Sequence, residues 1–170
     1  VLETNIRFDL PAGGLRSKGQ VLRLRQDTEA KLTYKGAGTK EQGVVNRTEI
    51  EFVVEDFEKA KLFLEALGYQ KLIRYEKYRT TYELEKCHIM LDELPYGNFS
   101  EIEGADITTI HNIAHQLNLD LQTAISTGYT NLFENVRQTL GLTFTDLTFA
   151  NFAENKILPE HLHVQPADEK

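Results

Sequence analysis

Charged residues recur at every second position along several strand-like segments of this sequence. They are Arg23 and Arg25, Lys31 and Lys35, Arg47 with Glu49 and Glu51, Lys77 and Arg79, Asp92, and Glu101 with Glu103. Residues two apart in a strand point to the same side, so each segment predicts one charged face. Carboxylates are the ligands that Mg²⁺ and Mn²⁺ prefer, and arginines and lysines bind phosphate oxygens. Together these faces predict a site for a metal–polyphosphate complex.

A charged strand face more commonly meets water, and for any single strand of this chain that interpretation is preferred. The complete set favours another arrangement, because most of the predicted strands carry charges in this pattern. One curved sheet could turn all of these faces inward, with helices covering its apolar outer face. A charged interior is tolerated only if it is wet or holds a charged ligand.

Composition excludes several other classes of protein. The chain has 170 residues, enough for one compact domain, and its formal net charge of −7 argues against a general nucleic-acid or anionic-membrane binder. A single cysteine, Cys87, rules out an internal disulfide and predicts a cytoplasmic location. No apolar run reaches the roughly 18 residues that a membrane helix needs.

The order of predicted elements is strands, one helix, more strands, and then helices, which is typical of an α+β domain. The pattern of alternation predicts strands at 2–8, 20–26, 30–35, 45–54, 71–77, 78–84, 87–94 and 99–103, with a mobile glycine-rich connector at 36–43. Amphipathic periodicity predicts a helix at 56–67 with Asp56 as its N-cap, another from Asp106, which can cap it, and a third at 121–140 that Gly128 could interrupt and Gly141 ends. We therefore expect one domain over 1–170: a strand-rich region over 1–104, a helical region over 105–141, and a short C-terminal segment over 142–170 whose tail after Asn155 is irregular.

An ordered series of motifs in this sequence resembles the CYTH, or triphosphate tunnel, superfamily. The motifs are Val-Leu-Arg-Leu-Arg at 21–25, Leu-Thr-Tyr-Lys-Gly at 32–36, Asn-Arg-Thr-Glu-Ile-Glu at 46–51, Tyr-Glu-Lys-Tyr-Arg at 75–79, Leu-Asp-Glu-Leu-Pro at 91–95, and Phe-Ser-Glu-Ile-Glu-Gly at 99–104. The resemblance spans about residues 3–135. Within the superfamily, the pattern of Tyr129 followed by Leu132 in the late helix resembles the branch that contains class IV adenylyl cyclases.

The resemblance implies an antiparallel β-barrel of about eight strands that forms a charged tunnel, with helices packed outside. It also implies a metal-dependent enzyme that uses Mg²⁺ or Mn²⁺. The residues that would bind phosphate are Arg23, Arg25, Lys35, Arg47, Lys77 and Arg79. The metal ligands would be Glu49, Glu51, Asp92, Glu101 and Glu103, with Glu49 and Glu51 as catalytic residues.

The first segment of the chain has two interpretations. Glu3, Asn5 and Arg7 could be an altered copy of the Glu-x-Glu-x-Lys strand that opens these proteins. We favour the family's second strand, because the distance to Arg23 leaves no room for the helix that usually follows the first. The opening strand would then lie upstream of Val1, and the barrel would lack one strand and part of its metal site.

The predicted activity is metal-dependent hydrolysis of an inorganic, nucleoside or thiamine triphosphate. One alternative is a class IV-type adenylyl cyclase that converts ATP to cAMP and pyrophosphate, although no adenine-recognition motif is readable. Another is a barrel that binds polyphosphate or nucleotide without turnover, and a purely structural domain ranks last. The expected partner is a small-molecule triphosphate, with no nucleic acid and no membrane, and a homodimer is plausible.

Overall fold

The computed structural model describes residues 1–155 and 157–168, and in these ranges the chain forms nine β-strands and five α-helices. The strands are β1 (Leu2–Asp9), β2 (Val21–Gln26), β3 (Ala30–Lys35), β4 (Thr39–Glu41), β5 (Val44–Asn46), β6 (Glu49–Val54), β7 (Gln70–Leu84), β8 (Cys87–Leu94) and β9 (Gly97–Glu103). The helices are α1 (Phe57–Ala66), α2 (Ile107–Gln116), α3 (Tyr129–Leu140), α4 (Phe149–Phe152) and α5 (Pro159–Leu162).

Seven of these strands form one curled antiparallel sheet, a half-barrel, in the order β6-β3-β2-β1-β7-β8-β9. The strands β4 and β5 pair separately with each other. This architecture confirms the predicted α+β class and its antiparallel barrel-like sheet. Because β1 lies between β2 and β7, the first segment of the chain occupies the centre of the sheet.

The outer face of the sheet is apolar, as predicted, and helices α1 and α2 cover part of it, while Ile50 and Phe52 of edge strand β6 are more than half exposed. Leu64 of α1 packs on a cluster that includes Phe8 and Leu24, and Ile113 of α2 packs against Cys87 and Ile89. These contacts follow from strand alternation, since Leu24 points away from Arg23 and Arg25, and Cys87 and Ile89 point away from Asp92. Met90 and Leu94 of β8 lie on the inner side with Asp92. Helices α1 and α2 therefore leave the charged face to the inside of the curl.

Short-range signals fix the ends of these helices. The Asp56 carboxylate accepts a hydrogen bond of 2.9 Å from the Lys59 backbone N–H, and Asp106 accepts one of 2.8 Å from Thr109. Gly141 ends α3 with a φ of 64°, a left-handed conformation that glycine adopts without a steric penalty. The sequence therefore located both capping aspartates and the end of α3 correctly.

A third apolar cluster holds α3 against one end of the inner face. Tyr75 of β7 and Leu94 of β8 pack with Leu132, Phe133 and Val136 of α3, and residues of α4 and α5 complete the cluster. This packing places the first turn of α3 beside the charged residues of β7 and β8. Within the described ranges, no helix is long and apolar enough to cross a membrane.

Several element boundaries differ from the predicted ones. The range 70–84 is one strand instead of two, because its first half pairs with β1 and its second half with β8. The predicted strand 45–54 is interrupted at Arg47 and Thr48, where β5 leaves to pair with β4.

The third predicted helix is shorter than 121–140, since Gly128 precedes its first residue, and 121–123 form a separate 3₁₀ turn. The connector 36–43 contains β4, and the tail after Asn155 contains α5, so neither is wholly irregular. Lys156, Glu169 and Lys170 also belong to the predicted tail and lie outside the described residues.

Candidate active site on the inner face of the half-barrel

A row of paired residues crosses four strands on the inner face. The register aligns Glu51 of β6 with Thr33 of β3, Arg23 of β2 and Arg7 of β1. The Thr33 hydroxyl donates a hydrogen bond of 2.8 Å to Glu51, and Arg23 Nη2 lies 3.3 Å from Thr33 Oγ1 and 3.4 Å from Glu51. Arg23 is 9% exposed, so this guanidinium is held in place with little contact with water.

The carboxylate of Glu51 gathers cations from two neighbouring strands. Arg25 Nη2 lies 3.3 Å from Glu51 Oε1, and Lys31 Nζ lies 3.9 Å from the same oxygen. Partial burial raises the pKa of Glu51, but the Thr33 hydrogen bond and the charges of Arg25 and Arg23 outweigh it, so the pKa is lower than normal. Glu51 is therefore ionised at neutral pH.

Lys35 and Glu49 form a separate pair farther along the same two strands. The distance between Lys35 Nζ and Glu49 Oε2 is 2.8 Å, and the Glu49 side chain is 38% exposed. This carboxylate is therefore more accessible to solvent than that of Glu51, whose side chain is 28% exposed.

Asp92 on β8 forms the second charged cluster, which is more deeply buried. Lys77 Nζ lies 2.9 Å from Asp92 Oδ2, Arg79 Nε donates at 2.6 Å to Oδ1, and the Tyr129 hydroxyl donates at 2.8 Å to Oδ2. Lys77 is 2% exposed and Asp92 is 1% exposed. The guanidinium of Arg79 also contacts Glu101 of β9 at 2.7 Å. These contacts join β7, β8, β9 and α3 into one polar network.

Burial alone would raise the pKa of Asp92. Hydrogen bonds from Arg79 and the charge of Lys77 outweigh it and hold that pKa below its usual value of 3.8. The pKa of the Tyr129 hydroxyl is raised. Burial has the largest effect, and the nearby Glu101 and Asp92 carboxylates raise it further. Tyr129 is therefore a neutral hydrogen-bond donor at physiological pH.

The lowered pKa of Asp92 predicts a pH dependence of stability. A carboxyl group whose pKa is lower in the folded than in the unfolded state contributes stability above its unfolded value and loses it as the pH falls through the folded value. We expect the free energy of unfolding to decrease as the pH drops below about 4. Urea unfolding of the wild type and of Asp92→Asn at several pH values checks this, and the free energy of unfolding of the variant should fall less steeply as the pH decreases. The same decrease in both proteins would show that Asp92 does not cause the acid destabilisation.

Glu3 lies between the two clusters. Its Oε1 is 3.6 Å from Arg25, and its Oε2 is 3.6 Å from Lys77, both longer than a good hydrogen bond. Glu3 is 2% exposed, and its Oε2 has no hydrogen-bond partner within 1–155 and 157–168. It thus connects the two clusters electrostatically and keeps unused capacity to accept a hydrogen bond.

The structure brings together most of the predicted site residues. Arg23, Arg25, Lys35, Glu49 and Glu51 lie on β2, β3 and β6, and Lys77, Arg79, Asp92 and Glu101 lie on β7, β8 and β9. Arg47 is exposed in the two-residue segment before β6, and Glu103 is exposed at the end of β9, opposite His88. These two residues lie at the periphery of the charged face.

Two residues of α3 reach the site although they were not predicted there. Tyr129 contacts Asp92, and its ring lies under the Lys77 ammonium at 5.4 Å. The Thr130 hydroxyl accepts a hydrogen bond from Arg7. The sequence feature that could have identified them is Gly128, because a helix that begins after this glycine has Tyr129 and Thr130 in its first turn.

The carboxylates that could bind a metal lie on both edges of the half-barrel. Glu49 and Glu51 are on edge strand β6, and Glu101 and Glu103 are on edge strand β9. In the portion of the chain that the structure describes, three or more His, Cys, Asp or Glu side chains do not converge as a preformed metal site. All of these donors are oxygen atoms, and Glu49 and Glu101 are more than one-third exposed, so their chemistry fits a hard divalent cation.

Comparisons with known proteins agree with this architecture. The model of the CYTH domain family matches residues 1–128. A comparison with curated protein sequences gave no match.

Solved structures with the same fold come from archaea, bacteria and plants. A Pyrococcus horikoshii protein is 29% identical, with a TM-score of 0.56 over 68% of this chain and 71% of its own. A candidate adenylate cyclase from Vibrio parahaemolyticus is 23% identical, with a TM-score of 0.67 over 78% and 80%. A candidate adenylyl cyclase from Hippeastrum, described as having a dominant triphosphatase activity, is 18% identical, with a TM-score of 0.60 over 96% and 86%.

Proposed function

The chain belongs to the CYTH domain family, and on that premise we propose that it is a divalent-metal-dependent hydrolase acting on a triphosphate. The observation that carries this proposal is that two charged clusters, one around Glu51 and one around Asp92, share one inner face. Arg23 and Arg25 line it from β2, and Lys77 and Arg79 line it from β7. Carboxylates already offset much of this positive charge, but the buried Arg23 Nε and Arg25 Nε have no hydrogen-bond partner in the described ranges, so these donors remain for an extended polyanion such as a triphosphate.

In the proposed complex, phosphate oxygens accept hydrogen bonds from Arg23, Arg25, Lys35, Lys77 and Arg79. Arginine suits this task because its planar guanidinium can bind two oxygens at once. Arg47, at the periphery, would approach the end of the triphosphate from solvent. The Asp92 oxygens already accept hydrogen bonds from Lys77, Arg79 and Tyr129, so we propose that Asp92 mainly orients these cations.

The carboxylates divide the remaining roles. Glu49, Glu51, Glu101 and Glu103 would hold Mg²⁺ or Mn²⁺, with Asp92 close to them. The bound ion would neutralise charge on the phosphoryl oxygens in the transition state. Because Glu51 has a lowered pKa, it suits the binding of cations better than proton transfer. Glu49 is the more exposed carboxylate, and we propose that it orients the attacking water.

Hydrolysis is preferred to cyclisation because the arginines and lysines of the charged face can bind phosphate groups, whereas the sequence contains no readable motif that would bind an adenine. The triphosphatase activity described for the Hippeastrum protein supports the same choice on the same fold. The cyclase remains the second candidate, because the Vibrio protein is described as a candidate adenylate cyclase. In that reaction the ribose 3′-hydroxyl would attack the α-phosphorus and release pyrophosphate.

The decisive experiment incubates the protein with Mg²⁺ or Mn²⁺ and, separately, tripolyphosphate, ATP or thiamine triphosphate. We expect metal-dependent release of phosphate. Glu101→Ala should lower the rate about a hundredfold or more, because it removes an oxygen ligand and a partner of Arg79. Phosphate, pyrophosphate and cAMP are measured together.

Glu83→Ala is the matched control, because Glu83 is an exposed carboxylate at the far end of β7, and its rate should stay at the wild-type level. Formation of cAMP from ATP without release of phosphate would contradict the proposed hydrolase and support the adenylyl cyclase. Tight binding of tripolyphosphate without any product would leave a phosphate-binding barrel that lacks turnover.

A further inference from the structure

Asn5 is a fully enclosed polar side chain at the centre of the inner face. It is 0% exposed, and the register places it between Arg25 of β2 and Tyr75 of β7. It lies on the same side of β1 as Glu3 and Arg7, because residues two apart share a face. Asn5 therefore lies between the cluster of Glu51 and the cluster of Asp92.

Neither end of the Asn5 carboxamide has a hydrogen-bond partner among residues 1–155 and 157–168, since Nδ2 has no acceptor there and Oδ1 has no donor. This is unusual, because nearly all buried polar groups in proteins have a hydrogen-bond partner. Asn151, for comparison, donates from Nδ2 to the Asp146 carbonyl at 2.8 Å. The Asn5 amide therefore keeps its full capacity for a ligand.

Two cations near Asn5 have carboxylate partners elsewhere, whereas Glu3 Oε2 and Arg25 Nε are, like the Asn5 amide, buried and without a hydrogen-bond partner in the described ranges. Arg25 contacts Glu51, and Lys77 contacts Asp92, so neither neighbour turns to the amide. The Arg23 Nε is likewise buried and without an acceptor in the described ranges of the chain. A free amide N–H₂ and a free guanidinium N–H thus lie on adjacent pairs of the same strands, Asn5 with Arg25 and Arg7 with Arg23.

We propose that Asn5 is a substrate-binding residue whose Nδ2 donates a hydrogen bond to a non-bridging oxygen of the triphosphate, beside the Arg23 Nε. Its Oδ1 then accepts a hydrogen bond from a water molecule bound with the substrate. This inference rests on the proposed function and deepens it. A neutral amide supplies a donor without adding charge, whereas a carboxylate at this position would repel the phosphate.

Calorimetric titration with sodium tripolyphosphate in metal-free buffer tests this role without turnover. Asn5→Leu keeps a similar volume and should weaken binding about tenfold to a hundredfold, the effect of one lost hydrogen bond to a charged group. Asn5→Asp keeps the shape and should weaken binding further by repulsion.

The salt dependence separates a neutral donor from a cation. Between about 50 and 300 mM salt, Asn5→Leu should lose affinity in parallel with the wild type, whereas Arg23→Ala should depend less on salt. The melting temperature of Asn5→Leu without ligand should rise by about 2–4 °C, because an unsatisfied buried amide is removed. Asn151→Leu, the matched control outside the site, should lower the melting temperature and leave the affinity unchanged.

The outcomes are distinct. Weaker binding by both Asn5 variants, with the Asn151 control unchanged, supports the inference. Wild-type affinity in both variants, while Arg23→Ala binds poorly, overturns this inference alone and leaves the proposed function intact. If Asn5→Leu does not fold, Asn5→Asp decides the question. A wild-type protein that does not bind tripolyphosphate overturns the proposed function and this inference together.

Discussion

Replacing Arg23 by alanine is expected to lower the affinity for tripolyphosphate by about a hundredfold or more. Arg23 is 9% exposed, and its contacts with Glu51 and Thr33 are 3.3–3.4 Å long, so these partners orient the guanidinium without using all of its donors. Each hydrogen bond to a charged group contributes about 1.5–3 kcal/mol, and arginine can bind phosphate with two of them. Calorimetric titration with tripolyphosphate measures the effect.

Arg47 and Arg137 provide a graded control for this prediction. Arg47 is exposed at the periphery of the charged face, so Arg47→Ala should weaken binding about tenfold or less, because water screens its charge. Arg137 pairs with Glu134 on α3, far along the helix from Tyr129, and Arg137→Ala should bind normally. An affinity of Arg23→Ala equal to that of Arg137→Ala would remove Arg23 from the phosphate site.

Replacing Asp92 by alanine is expected to cause the largest loss of stability, about 3–5 kcal/mol. Asp92 is 1% exposed and is the closest carboxylate partner of Lys77, which is 2% exposed. It also accepts hydrogen bonds from Arg79 and Tyr129. Without it, two cations and a hydroxyl remain buried without their main acceptor. Urea unfolding monitored by circular dichroism measures the difference in the free energy of unfolding.

The same variant should respond more strongly than the wild type to tripolyphosphate. If phosphate oxygens bind Lys77 and Arg79, the anion supplies the negative charge that Asp92→Ala lacks, so the ligand-induced rise in melting temperature should be greater in the variant. Glu134→Ala breaks an exposed pair and should lose less than about 1 kcal/mol, with no additional response. An Asp92→Ala protein as stable as Glu134→Ala would show that the buried network adds little.

Local pattern was sufficient to identify the charged face. The period-2 arrangement put Arg23 and Arg25 on one side of β2 and Leu24 on the other, and the structure has Leu24 in an apolar cluster under α1. The capping residues Asp56 and Asp106 were equally readable, because a cap depends on residues within one helical turn. Features that depend only on residues close together in the sequence could therefore be predicted from the sequence alone.

Features that depend on contacts between distant segments were not accessible. Tyr129 and Asp92 are 37 positions apart, and only the packing of α3 on β7 and β8 brings them together. The interruption at Arg47 likewise depends on β5 pairing with β4 instead of continuing into β6. The unused amide of Asn5 is a property of its three-dimensional surroundings, and no sequence pattern reports it.

The pairing of β1 with β7 has a consequence for the folding kinetics of the protein. Leu2 pairs with Tyr78, so the centre of the sheet joins segments 76 positions apart. Closing such a loop is entropically unfavourable before any contact is gained, and domains with high contact order fold slowly. The hairpin of β2 and β3 can form early, whereas the site requires β7 to dock on β1. During synthesis on the ribosome, the inner face therefore stays incomplete until β7 and the later elements β8, β9 and α3 have emerged, so the proposed triphosphate site is completed late in folding.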